Sequence, residues 1–431
     1  MELRLEGDPG GYVLGMPDLL LGDPAPLLSE ARLPSLPLAE VVPGMGRGLD
    51  TGSRLPVLIG DAHYGDNAWR STEHGLDLSI DVFGSVFLCL SRMEELIVRA
   101  RDRHDRFPAA ESLAVAAGLL ERPIVDEYVD LLFAGMRRLW PALQRPATAF
   151  RLRPTHDVDR PFAAFGQARW VVARSLAADL LKRRQPRLAA RRLRAVADAR
   201  AGRVDRDPYA TYDFLMTAGE RAGVRSTFYF LAGALPDEPD FRYRLDDPRL
   251  RPVLRSIGDR GHEIGLHASY QSYRQPERLA REREALVGAC HEAGVEQAAW
   301  GVRSHYLRLA VPETWRDQEA AGLVHDSSLG YAEAIGFRSG TCREHPLFDL
   351  GTRRLTSIRE RPLVVMDTTL FGYHGWTEVE AAKRMAAVLR ACRAHRGDAV
   401  ILFHNDTVAD ARRRALYLDV LKDLTTSVAG G

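Results

Sequence analysis

From residue 146 onward the sequence alternates short β-rich runs with segments of helical periodicity, and that alternation restricts the fold more than any other feature. "TAFRLRPTHD", "STFYFLAG", "HEIGLHAS", "AAWGVRSH", "LVHDSS", "IGFRSG", "LVVMDTT" and "AVILFHND" read as strands. Between most of them lie helical patterns such as "YATYDFLMTAGERAG", "PERLAREREALVGACHEAG" and "EVEAAKRMAAVLRACRAHRG". Several of these run into a glycine (Gly223, Gly261, Gly294, Gly322, Gly397), the residue that best tolerates the left-handed backbone closing a helix. Strands joined by helical crossovers form a parallel sheet, and about seven such units point to a closed or nearly closed (β/α) barrel.

Residues 1–145 read differently and are assigned to a smaller N-terminal accessory α/β domain, with the barrel at 146–431. The unit opens with Pro- and Gly-rich text, offers one strand candidate, "LPVLIG", and then turns helical through "SIDVFGSVFLCLSRMEELIVRARDRHDRF" and "PIVDEYVDLLFAGMRRLW". Its acids and histidines (Asp61, His63, His74, Asp81, His104) show no metal-ligand spacing. A basic helical insertion, about 163–206, is broken at Pro186; its apolar positions keep helical spacing, so a solvated arm is preferred and membrane contact is disfavoured.

The bulk numbers exclude some partners. The 431 residues hold 59 Lys plus Arg against 58 Asp plus Glu, so no global field favours nucleic acid. The four cysteines show no CxxC spacing and suggest reduced thiols. The start "MELRLEGDPGGYVLG" lacks the pattern of a secretory leader, and a cytoplasmic location is expected. The partner expected is a small-molecule or glycan substrate, with a homodimer left open.

In such barrels the reactive groups sit where strands end, because the loops there converge on one mouth. His156, Asp157 and Asp159 follow the first strand. His267 closes "EIGLH", Arg303 and His305 close "WGVRSHY", Asp326 closes "LVHD", Asp367 follows "LVVM", and His404 and Asp406 close "VILFHND". Converging carboxylates and imidazoles suit a catalytic divalent cation with an open position for water. Such a cation acidifies water and polarises a carbonyl, a neighbouring carboxylate takes a proton, and a histidine returns one to the leaving nitrogen. That chemistry is hydrolysis of an amide or ester.

At these residues the chain resembles the polysaccharide deacetylase superfamily, the metal-dependent N-deacetylases related to carbohydrate esterase family four. The resemblance covers about 146–425 and rests on "THDVD", "RGHEIGLHASYQSY", "GVRSHYLR" and "ILFHND". The stretch "RSHYLR…PETW…AAGLVHDSSLGYAEAIGFRSGTCREHPLFDL", with "DVFGS…RMEE" upstream, is similar to a bacterial branch that carries an uncharacterised N-terminal domain. The resemblance implies the distorted barrel of that superfamily and an N-acyl hydrolase. Asp157 would be the base, Arg303 the partner keeping it ionised, His404 the acid, and Asp159 and His267 metal ligands. Val158 separates the two acids, which shifts the ligand to Asp159. Gln271 stands where the family has its second histidine, so His305 is the candidate third ligand, with His156 and Asp157 as alternatives.

The implied cofactor is a divalent metal, zinc first, with nickel or cobalt as alternatives. Arg338 and Arg343 are candidates for clamping an anionic substrate group, Tyr306, Tyr373 and Trp376 for stacking on a sugar ring, and Asp406 for a substrate contact. The expected activity is removal of acetyl or formyl from the nitrogen of an amino sugar or sugar-like molecule. Two rivals stand beside it: hydrolysis of a non-sugar amide such as a cyclic amide or ureide, and a non-catalytic glycan-binding or scaffolding protein with a degenerate site.

Overall fold

The structure, a computed structural model, describes residues 1–44, 54–61, 65–163, 169–182, 186–201, 203–232 and 243–426. His63 lies outside the described residues, as do parts of the basic insertion.

The second half is built on a nine-stranded sheet. Its strands are β1 (Arg151–Val158), β2 (Thr227–Leu231), β3 (Glu263–Ala268), β4 (Gly301–Ser304), β5 (His325–Asp326), β6 (His345–Asp349), β7 (Arg354–Glu360), β8 (Leu363–Met366) and β9 (Asp398–Leu402). Their order across the sheet is β6-β7-β5-β4-β3-β2-β1-β9-β8. All neighbours are parallel except the β6–β7 pair. Among the described residues β6 and β8 are the two ends of the sheet, which is therefore a curled half-barrel, consistent with the distorted barrel expected from sequence but short of closure.

It nevertheless curves. β1 and β4 stand three places apart, roughly 14 Å on a flat sheet, yet a guanidinium nitrogen of Arg303 on β4 lies 2.9 Å from a carboxylate oxygen of Asp157 on β1. Only a concave sheet brings those side chains together.

β1, β2, β3 and β9 are buried along almost their whole length, as central parallel strands covered on both faces must be. Helices Tyr212–Arg221, Arg251–Asp259, Pro276–Glu292 and Glu378–Ala394 pack outside them in one continuous apolar core. Gly223, Gly261, Gly294 and Gly322 take φ between 69° and 79° just past their helices, whereas at the fifth predicted terminus the left-handed residue is Arg396, φ 52°.

Two strand assignments differ. "IGFRSG" is a turn rather than a strand, with Gly336 at φ 127° and Gly340 at φ 71°. β6 and β7 form a hairpin that the sequence reading missed, although "RLTSIRE" alternates exposed and buried residues as a half-covered strand does.

The N-terminal unit has its own apolar cluster around Leu14, Leu55, Leu78, Tyr128 and Leu131. Four short strands, Glu2–Leu3, Val13–Gly15, Gly75–Leu78 and Trp69–Thr72, form its main sheet beside helices Val82–Leu90 and Ile124–Leu139. The long helix read from "SIDVFGS…" is broken, because Arg92 is left-handed (φ 52°) and starts a separate turn, Met93–Ile97.

That break aims a buried ion network at the barrel. Arg338 forks onto Glu95 at 3.0 and 2.8 Å, and Arg92 joins the same carboxylate at 2.8 Å. A second tie sets Asp130 against His395 at 2.7 Å, and a third sets Asp126 against Thr341 and Arg343 at 2.8 and 2.7 Å. In the insertion, Arg169–Ala177 and Pro186–Arg200 are helical, with Leu181 80% exposed between them.

Candidate metal and hydrolytic centre

The alternation of a strand decides which ligands can meet. Along β1, His156 and Asp157 point to opposite faces. His156 goes outward, giving its Nδ1 proton to the Phe403 carbonyl at 2.8 Å and resting on Phe228 and Tyr417. Burial pushes its pKa down to about 4, and it does not line the cleft. Asp157 points inward, and Asp159, just past the strand, joins it.

Asp159 Oδ1 lies 3.2 Å from His267 Nε2, and Asp159 Oδ2 lies 3.6 Å from His305 Nε2. The ligand atoms of these three residues fall within 4.8 Å of one another. Their protonation is informative. His267 Nδ1 sits 2.8 Å from the Arg303 carbonyl, which can only accept, so Nδ1 carries a proton, and in its neutral form the ring turns a lone pair toward Asp159. Asp159 Oδ1 is buried and accepts no hydrogen bond. Two acceptors face each other at close range, an arrangement relieved by an added proton or by a cation.

Desolvation opposes charge on Asp159, but His305, His267 and His404 hold its carboxyl well below the usual carboxylate range. Burial likewise opposes a cation on His267, while Asp157 and Asp159 raise its pKa. One carboxylate and two imidazoles form a donor set that fits zinc, and the carbonyl behind His267 fixes its ring as ligand histidines require. Gln271 is exposed on a turn.

Arg303 is fully buried, with four of its five N–H donors engaged. Nη1 donates to Asp157 Oδ1 at 2.9 Å and to Thr155 Oγ1 at 2.8 Å, while Nε and Nη2 donate to the backbone and hydroxyl of Ser327. Its guanidinium lies 4.6 Å over the Tyr229 ring. Gly265 makes room for that ring, since a Cβ there would stand 2.5 Å from it. Arg303 therefore positions Asp157 rather than touching a substrate.

His404 follows β9. Asp367 holds it twice, accepting from its backbone N–H at 2.8 Å and from Nδ1 at 2.7 Å, which turns Nε2 toward Asp159 Oδ2, 3.8 Å away. Burial opposes its cation, yet Asp367, with Asp159 and Asp157, holds its pKa well above the ordinary histidine value.

The structure thus brings together Asp157, Asp159, His267, Arg303, His305 and His404, with Tyr306 on the rim of a cleft of about 200 Å³. Four expected substrate contacts, Arg338, Arg343, Trp376 and Asp406, do not line the cleft. Arg338 is 3% exposed and spent on Glu95 and the Gly330 carbonyl. Asp406 is ion-paired with Arg160 and does not line the cleft. Arg343 is held by Asp126.

Two residues of the centre were given no role from sequence. Asp367 carried the same strand-end signal as the others. Arg106 lines the cleft from the N-terminal unit, and nothing local marks it.

Behind Arg303 lies a buried acid pair. Asp326 and Glu360 are register partners on β5 and β7, both with no solvent exposure. Burial pushes Asp326 up to about 6, and burial together with Asp326 holds Glu360 well above its usual range. Acids raised in this way contribute fully below their unfolded pKa values, and stability is lost as pH climbs through the folded ones. Glu360→Gln is therefore expected to stabilise the protein by about 1–3 kcal/mol at pH 8 and to flatten the loss between pH 4 and 8, measured by urea unfolding at both pH values. Equal stability of both forms at pH 8 would show that the pair carries no such penalty.

A family of unknown function (DUF7033) matches residues 42–141, inside the N-terminal unit. No curated protein matches the chain in sequence. Among solved structures the chain is similar to a Mycobacterium smegmatis protein assigned as a polysaccharide deacetylase, at 17% identity and TM-score 0.43, over 66% of this chain and 86% of that one. It is also similar to PuuE allantoinase (13%, TM-score 0.38, 66% and 89% covered). A third is a Pseudomonas aeruginosa PAO1 protein assigned as a polysaccharide deacetylase (14%, TM-score 0.38, 65% and 88% covered). Among the described residues no helix is long and apolar enough to cross a membrane.

Proposed function

We propose that the chain is a divalent-metal-dependent hydrolase that removes an acyl group, acetyl or formyl, from the nitrogen of an amino sugar or sugar-like small molecule. One observation carries this reading. Three ligand atoms of Asp159, His267 and His305 gather within 4.8 Å, flanked by an Asp157–Arg303 pair and a His404–Asp367 pair.

Zinc held by those three residues would polarise the acyl oxygen and make bound water acidic. The rest falls to the chain. Asp157, held in place by Arg303, accepts the proton of the attacking water on Oδ2, the oxygen turned toward His267 at 3.6 Å. His404, charged through Asp367, donates from Nε2 to the leaving nitrogen, which departs as an amine. Arg303 does not line the cleft, and four of its five N–H donors are already engaged. The rings of Tyr306 and Tyr373, 43% and 46% exposed at the rim, offer faces on which a pyranose can lie.

Protein purified without chelator is expected to carry about one equivalent of zinc, nickel or cobalt per chain, a single site, and to release acetate or formate from some member of a panel of N-acylated sugars and nucleotide sugars. The Asp159→Ala, His267→Ala double variant should lose both. Folded wild-type protein that takes up none of these metals and hydrolyses nothing would favour the non-catalytic binding reading.

A further inference from the structure

Of the metal set, His267 sits on β3 while Asp159 and His305 each lie just past a strand end, and His305 is the one that enters a kinked turn. It opens a one-turn segment, His305–Leu307, in which Tyr306 and Leu307 both have positive φ, 61° and 53°. Neither is glycine. Each such residue is strained, and a kink of two persists only where its surroundings hold it.

The holding groups come from the N-terminal unit. Arg106 Nη1 donates to the Tyr306 carbonyl at 2.7 Å, in the middle of the kink. Arg106 is itself locked, since Asp102 accepts from its Nε at 2.8 Å and from its backbone N–H at 3.0 Å. A second arginine crosses in the opposite direction. Arg308, just after the kink, donates to the carbonyl of His104 at 2.7 Å and to that of Tyr270 at 3.0 Å. The His104 ring then closes the stack, 5.1 Å from Tyr306 and 5.8 Å from Tyr270.

We propose that residues 102–106 of the N-terminal unit form a positioning clamp, with Arg106 as its working group, that holds the Tyr306 carbonyl and thereby keeps His305 in the metal site. The inference rests on the metal reading above and gives the N-terminal unit a defined part in it. A ligand carried on a short strained turn, unlike one carried on a strand or helix, has no ladder of backbone hydrogen bonds to fix its ring. Here a guanidinium from another part of the chain supplies that restraint. Arg106 acts through Tyr306 and is not a catalytic residue.

The test is zinc affinity, read by competition with a chromogenic chelator on the full chain. Arg106→Ala, in its folded form, is expected to bind zinc about 10–100-fold more weakly than wild type, the usual cost of losing a group that orients a ligand. Arg106→Lys, which keeps the charge and one donor, should fall between. Arg4→Ala, on an exposed ion pair of the same unit, should bind as wild type does. If Arg106→Ala does not fold, Asp102→Asn takes its place, because it releases the guanidinium while still accepting from the loop backbone.

Wild-type zinc affinity in folded Arg106→Ala, or in the Asp102→Asn substitute, overturns the clamp and leaves the metal site standing. Failure of the wild type itself to bind zinc overturns both, and the two failures are told apart by that first measurement.

Discussion

Asp157→Asn is expected to retain its zinc and lose turnover, kcat falling by about 10²–10⁴-fold. The amide is nearly isosteric with the carboxylate, and its oxygen can still accept from Arg303 Nη1, so the ligand atoms of Asp159, His267 and His305 keep their places. What disappears is the anionic oxygen that takes the proton of water. Zinc content, kcat and KM measured on the same preparation separate the effects, since loss of a proton acceptor moves kcat, whereas loss of a ligand moves zinc content. Arg303 complicates the comparison, because the variant leaves its charge buried among Thr155, Ser327 and the Tyr229 ring. The folded fraction must therefore be determined before rates are compared. Substantial turnover in folded, metal-loaded Asp157→Asn would remove Asp157 as the base.

Much of the centre was legible because strand ends announce themselves. Asp157, His267, Arg303 and His404 each close an apolar run, and the parallel order of β4-β3-β2-β1-β9 places those ends side by side. The alternation of β1 also settles His156, which cannot share a face with Asp157, although it had stood as an alternative ligand. Asp367 was visible by the same rule, but its role depends on a hydrogen bond to a residue 37 positions away.

What the sequence hid is of another kind. Arg338 read as a substrate clamp because guanidinium near a strand end suits anions, and nothing local shows that Glu95, 243 residues earlier, engages it. Arg106 meets Tyr306 across 200 residues. Pairings over such distances are set by how the two units dock, which local propensity does not encode. The shortfall from closure was missed for a related reason. Counting strand–helix units fixes their parallel sense but not closure, and the β6–β7 hairpin ends the sheet by adding an antiparallel edge strand.

The same docking contact carries the largest expected effect on stability. Glu95→Gln should destabilise the protein by about 3–5 kcal/mol, the cost of breaking a buried ion pair from one side. Glu95 faces two guanidiniums, Arg338 through both oxygens and Arg92 through one, and the three side chains are each no more than 4% exposed. Burial opposes its charge, but Arg338 and Arg92 together lower its pKa to about 2. A depressed carboxylate contributes above its unfolded pKa, near 4.5, and the contribution is lost as pH falls toward 2.

The wild type should therefore lose stability on acidification through that window, and Glu95→Gln should lose less. At neutral pH the variant leaves two cations beside a neutral amide, with the Tyr331 ring under Arg338 as remaining partial compensation. Urea unfolding at pH 7 and at about pH 2.5, well inside that window, measures both effects. Because Glu95 belongs to the N-terminal unit and Arg338 to the turn before β6, the loss should appear first as undocking of that unit. Protease sensitivity between Arg92 and Phe107 would then rise before the nine-stranded sheet unfolds. Coincident loss of both would instead mean that the contact is part of a single cooperative core.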